Sequence, residues 1–242
     1  MRGLKWYQFW RLFFIQSSRN NRTIDGLGFF HVLAPMFGRW AGDRETRTDV
    51  ALRHMGYFNA NPILAPFIVG VVVNLEERRL GGEAITDNQI GTVKDTLSSV
   101  STTVGDIFFD VVLVPLGLTI GSIFAIYGSY IGLAIFLALY NFYHIRVRIS
   151  GYRVGLQLCG GVGEKLVTRL FREQNLLGGC AAFASGAFAA LVFSRAYRMG
   201  GVGYGLWGIG AVAAIVLLRR KLSFFWCAVI VFLAASLYLL LL

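Results

Sequence analysis

Apolar and polar positions divide the chain into two regimes. Residues 1–60 mix the two, whereas long apolar runs dominate from Pro62 onward. In the first regime Trp6, Phe9, Trp10 and Phe13 recur at helical spacing, flanked by Arg2, Lys5, Arg11 and Arg19. That stripe predicts an amphipathic helix lying in a membrane interface. Asp43 to Tyr57 reads as a second helix, charged and exposed to the cytoplasm. Pro62 to Leu75 is apolar for only about 14 residues and contains Pro62 and Pro66. A hydrocarbon core of roughly 30 Å needs about 20 helical residues, so this run suits a re-entrant segment or a hairpin half. A polar stretch from Glu76 to Glu83 follows. Ser98, Ser99, Ser101, Thr102, Thr103, Gly105 and Asp106 then lead into the apolar run Ile107 to Phe142, interrupted by Asp110, Pro115 and Gly117. This predicts a re-entrant or broken helix followed by a full span. Tyr143 to Arg172 is basic, and apolar segments near 175–194, 201–218 and 222–242 finish the chain.

The expected fold is therefore all-α: a polytopic membrane protein with amphipathic N-terminal helices, re-entrant or broken helices and about four full spans. Residues 1–60 form a cytoplasmic or interfacial arm, and residues 61–242 an integrated membrane-embedded transport domain. Composition agrees, with 56% hydrophobic and 15% charged residues, 29 glycines and a mean hydropathy of +0.61. The formal net charge of +10 would suggest nucleic acid in a soluble protein. Here the bases flank apolar segments, which points to positive-inside topology and anionic headgroups instead. With Arg146 to Arg172 and Arg219-Arg220-Lys221 inside, the N-terminus is expected to be cytoplasmic and Leu242 to lie outside. The N-terminus has no cleavable-signal pattern, since Lys5, Gln8 and Arg11 interrupt any apolar core.

Catalytic chemistry is not evident. His31, His54 and His144 are scattered, and Cys159, Cys180 and Cys227 form no C-x-x-C pair. The cysteines read as small buried apolar residues, and no metal, cofactor or enzyme activity is expected. Gly160-Gly161-Val162-Gly163 reads as helix packing or a turn. Polar groups at membrane depth are the candidates instead. Asn59 and Asn61 stand at the mouth of the short apolar segment, Glu76 and Glu77 close it, and Asp106 and Asp110 enter the next run. Amides and carboxylates supply the paired donors and acceptors that a polar substrate needs. Each has a plain structural reading too. Asn61 before Pro62 suits a cap or turn, and Glu76-Glu77-Arg78-Arg79 a solvated charge cluster. Asp106 suits a cap at a helix break, and Asp110 a bonded polar group inside a bundle.

Several strings occur in order. Gln16-Ser-Ser-Arg-Asn-Asn-Arg22 precedes Gly26-Leu-Gly-Phe-Phe30, Leu52-Arg-His-Met-Gly-Tyr-Phe-Asn-Ala-Asn-Pro62 and Ala65-Pro-Phe-Ile-Val-Gly70. Asn74-Leu-Glu-Glu77, Val104-Gly-Asp106, Tyr140-Asn141, Arg148 and Gly151-Tyr-Arg-Val-Gly155 follow. This series resembles the IID membrane subunit of the mannose/fructose/sorbose family of the bacterial phosphotransferase system. The resemblance is dense over residues 10–155 and fades after about 175, where the chain is shorter than the usual member. Three motifs depart. Asn61 stands where the family has His, Ile107 where it has Ser, and Ile24-Asp25 where it has Met-Gln. The resemblance implies a hetero-oligomer in which IID and a homologous-fold IIC subunit bind a hexose-class sugar and move it across the bilayer. Soluble IIA and IIB proteins carry the phosphate, so this chain has no phosphorylation site of its own. The departures suit an alternative, a IID-derived membrane sensor or regulator without sugar transport.

Overall fold

The computed structural model describes residues 10–157, 162–198 and 200. The segments near 201–218 and 222–242, the first nine residues, Cys159 and Cys227 lie outside them, and with them Trp6, Phe9 and the expected C-terminal spans. Within the described residues the chain is helical, with only isolated bridges pairing Asn20 with Ile24 and Ile24 with Phe58. A 3-10 turn, Leu12–Phe14, precedes α1 (Gly26–Leu33), a second 3-10 turn (Ala34–Met36), α2 (Phe37–Trp40) and α3 (Arg44–Met55). Then come α4 (Ala65–Leu80), α5 (Asp87–Asp106), a π-helical segment (Ile107–Leu113) and α6 (Val114–Ile126). The described helices end with α7 (Ile131–Leu156) and α8 (Val162–Arg198). The chain forms two compact units, Met1–Ala184 and Ser185–Leu242.

Local chemistry sets the boundaries. Asp43 caps α3, its carboxylate accepting the Thr46 N–H at 2.8 Å. Pro66 occupies the first turn of α4, where a missing N–H costs nothing. Arg78 and Arg79 in the last turn of α4 complement the helix dipole before Gly81 and Gly82 turn the chain, the latter at φ +94°. Thr86 and Gln89 form a reciprocal capping box at the start of α5.

Residues 65–73 of α4 are all buried, which makes this helix the axis of the first unit. Its main neighbour is α7, and the two backbones touch. A Cβ at Gly70 would lie 2.4 Å from the Tyr152 carbonyl oxygen, and one at Gly155 would lie 2.2 Å from that of Phe67. Small residues permit such an approach, and where lipid offers no hydrophobic drive, the resulting packing is what holds helices together. Asn74 Nδ2 donates to the carbonyl of Leu156 at 2.8 Å, satisfying an end group of α7. The core extends on both sides of residue 60. Leu12, Ile15, Phe29, Val32, Leu33 and Phe58 lie in one cluster with Ile68, Val72, Phe108, Phe109 and Val147.

The apolar run from Ile107 differs in detail from its reading in the sequence. Asp110, Pro115 and Gly117 do not stop the helix, and Asp87 to Ile126 continues for 40 residues. Pro115 cannot donate back along the helix, and the π-helical segment absorbs that lost bond, with the Val114 N–H donating to Phe109. Gly117 is instead a seat for the Phe136 ring, since a Cβ there would fall 1.8 Å from it. The break comes at Tyr127–Tyr130, where Gly128 takes φ +70° and α7 returns antiparallel to α6. Among the described residues two helices are long and apolar enough to cross a membrane: Asp87–Ile126 and Arg172–Arg195, the latter of 24 residues. Cys180 is exposed on the second, rather than buried, because that stretch packs few of its side chains within the chain.

Gly155→Ala should lower stability by about 1–3 kcal/mol or more, since its methyl group must displace backbone rather than a flexible side chain. Gly91→Ala, with open space around it, should be neutral or slightly stabilising. Thermal unfolding of the purified protein in detergent compares them, and equal melting temperatures would show that the α4–α7 approach is not restrictive.

Candidate functional site

The site begins with a strained backbone link. Ile24 has φ 54°, uncommon for a β-branched residue. Around it the Phe58 N–H donates to the Thr23 carbonyl at 3.1 Å, and the Asp25 N–H to that of Phe58 at 2.9 Å. These bonds pin Phe58 into the core, its ring centroid 4.4 Å from that of Phe29. Asn59, Ala60 and Asn61 are thereby carried past the C-terminal half of α5. Asp25, buried beside this link with Arg19 at 3.7 Å, has its carboxyl pushed above the usual range by burial, against the pull of that guanidinium.

Asn61 ties two helices together. Its Oδ1 accepts the Ile63 N–H at 3.0 Å and its carbonyl accepts the Ala65 N–H at 2.8 Å, so it starts α4. Its Nδ2 donates to Asp106 Oδ1 at 2.9 Å, at the end of α5. Gly105 makes room for this contact, because a Cβ there would sit 2.4 Å from the Asn61 amide carbon. Asn61 is buried while Asp106 is exposed.

Beside this pair lies a cleft of about 460 Å³, lined by Tyr57, Phe58, Asn59, Asp95, Ser98, Ser99, Thr102 and Thr103. Thr102 Oγ1 donates to the Asn59 carbonyl at 3.2 Å, which fixes the loop against the helix. The structure thus brings Asn59, Asn61 and Asp106 together. Asp95, Tyr57 and the serine and threonine face join them without having been singled out from sequence. The signal was present: positions 95, 98, 99, 102, 103 and 106 are polar at helical i, i+3, i+4 spacing. Asp110 is exposed in the π-helical segment and does not line the cleft.

Glu76 and Glu77 sit elsewhere, at the far end of α4, about 16 Å along its axis from Ala65 at 1.5 Å per residue. Glu76 is buried, and its Oε1 accepts from His54 Nε2 at 2.9 Å and from Arg53 Nη2 at 2.7 Å. Arg53 also reaches Asp87 at 2.5 Å, and Arg79 pairs with the same carboxylate. Glu77 accepts from Arg39 at 2.8 Å and from the Trp40 indole at 3.1 Å. The arrangement ties α2, α3, α4 and the start of α5 into one ionic lattice, closer to the charge-cluster reading than to a sugar site. Part of it opens onto a second cavity of about 350 Å³ that includes Trp40, Asp49, Arg53, Glu76 and Asp87. Burial works against the Glu76 charge, but the hydrogen bond from His54 and the Arg53 guanidinium outweigh it and hold the carboxyl below its usual range. Burial pushes the His54 imidazole below its ordinary value, with Glu76 opposing. A carboxylate only accepts, so neutral His54 carries its proton on Nε2. Among the described residues no group of three or more histidine, cysteine or acidic side chains could hold a metal ion.

Both groups are depressed in the fold, so both bind protons more readily once unfolded. Their stabilisation is complete above pH 6.5 and is lost on acidification, with His54 beginning to lose it below 6.5 and Glu76 below 4.5. His54→Gln removes the first arm. The melting-temperature difference between wild type and this variant should narrow from pH 7.5 to 5.5, and a constant difference would show that His54 does not titrate in the fold.

Comparison with known proteins places this geometry. The family described as "PTS system mannose/fructose/sorbose family IID component" matches residues 5–193. The mannose-specific EIID component of Escherichia coli K12 is 30% identical over 168 residues. That alignment takes in 67% of this chain and 59% of the relative, less than two thirds of its length. A solved structure described as a membrane protein superposes with a TM-score of 0.72 at 25% identity, covering 95% of this chain and 93% of the other. A cryo-EM structure of the mannose transporter ManYZ with microcin E492 gives a TM-score of 0.56 at 24% identity, covering 98% and 96%, and shows likeness of fold. The chain is a membrane-embedded, all-helical member of the mannose/fructose/sorbose phosphotransferase IID-component family.

Proposed function

We propose that this chain is the IID subunit of a mannose-type sugar permease, forming with a IIC subunit the path by which a hexose-class sugar is bound and moved across the bacterial inner membrane. Soluble IIA and IIB proteins supply the phosphate, and this chain carries no phosphorylated residue. The observation that carries the reading is the Asn61–Asp106 bond at 2.9 Å, set beside a cleft lined with hydroxyls. An exposed carboxylate on an apolar helix costs about 2.5–3.5 kcal/mol at membrane depth unless it is paired or used. Asn61 bonds one of the two Asp106 carboxylate oxygens, and a sugar hydroxyl bonds the other. Asn61, which replaces the family's usual histidine, keeps a polar bond at that position, and this favours transport over a regulator that has lost the pathway. Family membership supports the IIC partnership, as does the polar face on α5, which must be covered by protein rather than lipid.

The topology follows from the basic clusters, with the N-terminus cytoplasmic and Leu242 outside. A C-terminal alkaline phosphatase fusion should be active and a fluorescent-protein fusion dark, and the reverse pair of results overturns this orientation. Transport is tested directly. In cells carrying the IIC, IIA and IIB partners, Asp106→Asn should insert normally yet cut sugar uptake roughly tenfold or more, the scale of one charge-assisted hydrogen bond. Wild-type uptake by an inserted variant removes Asp106 from the site, and absence of uptake by the wild-type system favours the regulator.

A further inference from the structure

Three of the hydroxyls that line the cleft direct their protons back to backbone carbonyls. Ser98 Oγ donates to the Lys94 carbonyl at 2.7 Å, Thr103 Oγ1 to that of Ser99 at 3.3 Å, and Thr102 Oγ1 shares its one proton between the carbonyls of Ser98 at 3.0 Å and Asn59 at 3.2 Å. Each therefore offers only lone pairs to anything in the cleft. Asp95 adds a carboxylate, exposed on the same face and one helical turn from Ser98 and Ser99. Among the described residues it has no hydrogen bond and no ion pair. Its neighbour Lys94 is buried and turned the other way, with Nζ 5.7 Å from the Phe29 ring centroid. Asp95 and Asp106 are eleven residues apart, three turns of helix, so both carboxylates share one face of α5. The cleft is thus rich in acceptors and carries negative charge, with the exposed Tyr57 ring at its edge.

We propose that Asp95 is a specificity-determining residue of the sugar site, accepting two adjacent ring hydroxyls of the uncharged sugar and excluding its phosphate ester. The inference rests on the sugar-binding reading of Asn61 and Asp106 above. A polyol brings donors to the Asp95 carboxylate and to the lone pairs of Ser98, Thr102 and Thr103, and its apolar ring face can lie against Tyr57. A phosphate ester brings acceptors and at least one negative charge to a wall that already presents both. The site then favours the species to be taken up and disfavours the phosphorylated product, so the phosphorylated sugar does not compete for the place its precursor occupies. Exposure of Asp95 makes its replacement compatible with folding, which separates this test from a stability effect.

The purified complex of this chain with its IIC partner is titrated with D-mannose, D-fructose and L-sorbose, and with mannose 6-phosphate as competitor. Asp95→Asn should weaken binding of the preferred sugar about tenfold, leave the melting temperature unchanged, and bring the affinities for sugar and phosphate ester closer together. Ser99→Ala should weaken sugar binding by less and leave the discrimination against the ester intact. Unchanged sugar affinity and unchanged discrimination in Asp95→Asn, with Asp106→Asn still impaired, overturns this inference alone. Failure of the wild-type complex to bind any of the three sugars overturns it together with the transport reading.

Discussion

The contact between two backbones at Gly70 and Gly155 governs this protein. It fixes α4 against α7 at a distance that no side chain tolerates, and α4 has a functional group at each end. At its start Asn61 closes the first turn and reaches Asp106. At its finish Glu76 and Glu77 hold three other helices through arginine, histidine and tryptophan. Movement of α4 along or about its axis would therefore be felt at both ends. Close approach suits a chain with lipid as solvent, where burying apolar surface against a neighbour gains little over leaving it in acyl chains, and contact must come from shape and hydrogen bonds.

The two polar centres use the same residue types for different ends. In the Glu76 cluster every charge meets an opposite charge or a donor, and the carboxylates of Glu76 and Asp87 each serve two partners. Pairing of that kind fixes helices, and the capacity it leaves over, Arg53 Nε and His54 Nδ1, is buried. In the cleft beside Asn61 the protons of Ser98, Thr102 and Thr103 go to backbone carbonyls, while the Asp95 carboxylate is left exposed. The contrast lies in which hydrogen-bond capacity is left over, and that separates a scaffold from a site more cleanly than residue type does.

Much of this was legible in the chain. The all-helical class, the charged helix after Asp43 and the candidate span near 175–194 follow from apolar run lengths and from the polar residues beside them, whereas the bond between Asn61 and Asp106 needed the fold. Glu76 and Glu77 were readable as polar but not as scaffold, because their partners Arg53, His54, Arg39 and Trp40 lie more than 20 residues away and only the fold brings them near. Pro115 suggests a break to any sequence reading. It fails to make one because a wider helical turn was available, and Gly128 with its positive φ makes the break instead. The polar stripe on α5 escaped notice because its residues were read as entry to a membrane segment rather than at helical period.

The π-helical segment between Asp106 and Val114 has a consequence for how the chain can diverge. Such a segment holds, in effect, one residue more than an α-helical path over the same rise. Each α-helical residue turns the helix by 100°, so losing one residue here would restore regular pitch and swing everything beyond it by that angle. Gly117 would leave the Phe136 ring, and α6 would present a different side to α7. A substitution in this stretch acts where it is made, whereas a deletion would be felt by every helix beyond it. The length of the chain between the Asn61–Asp106 bond and the Gly117–Phe136 seat is thus a constraint in its own right, beside the constraint on which residues fill it.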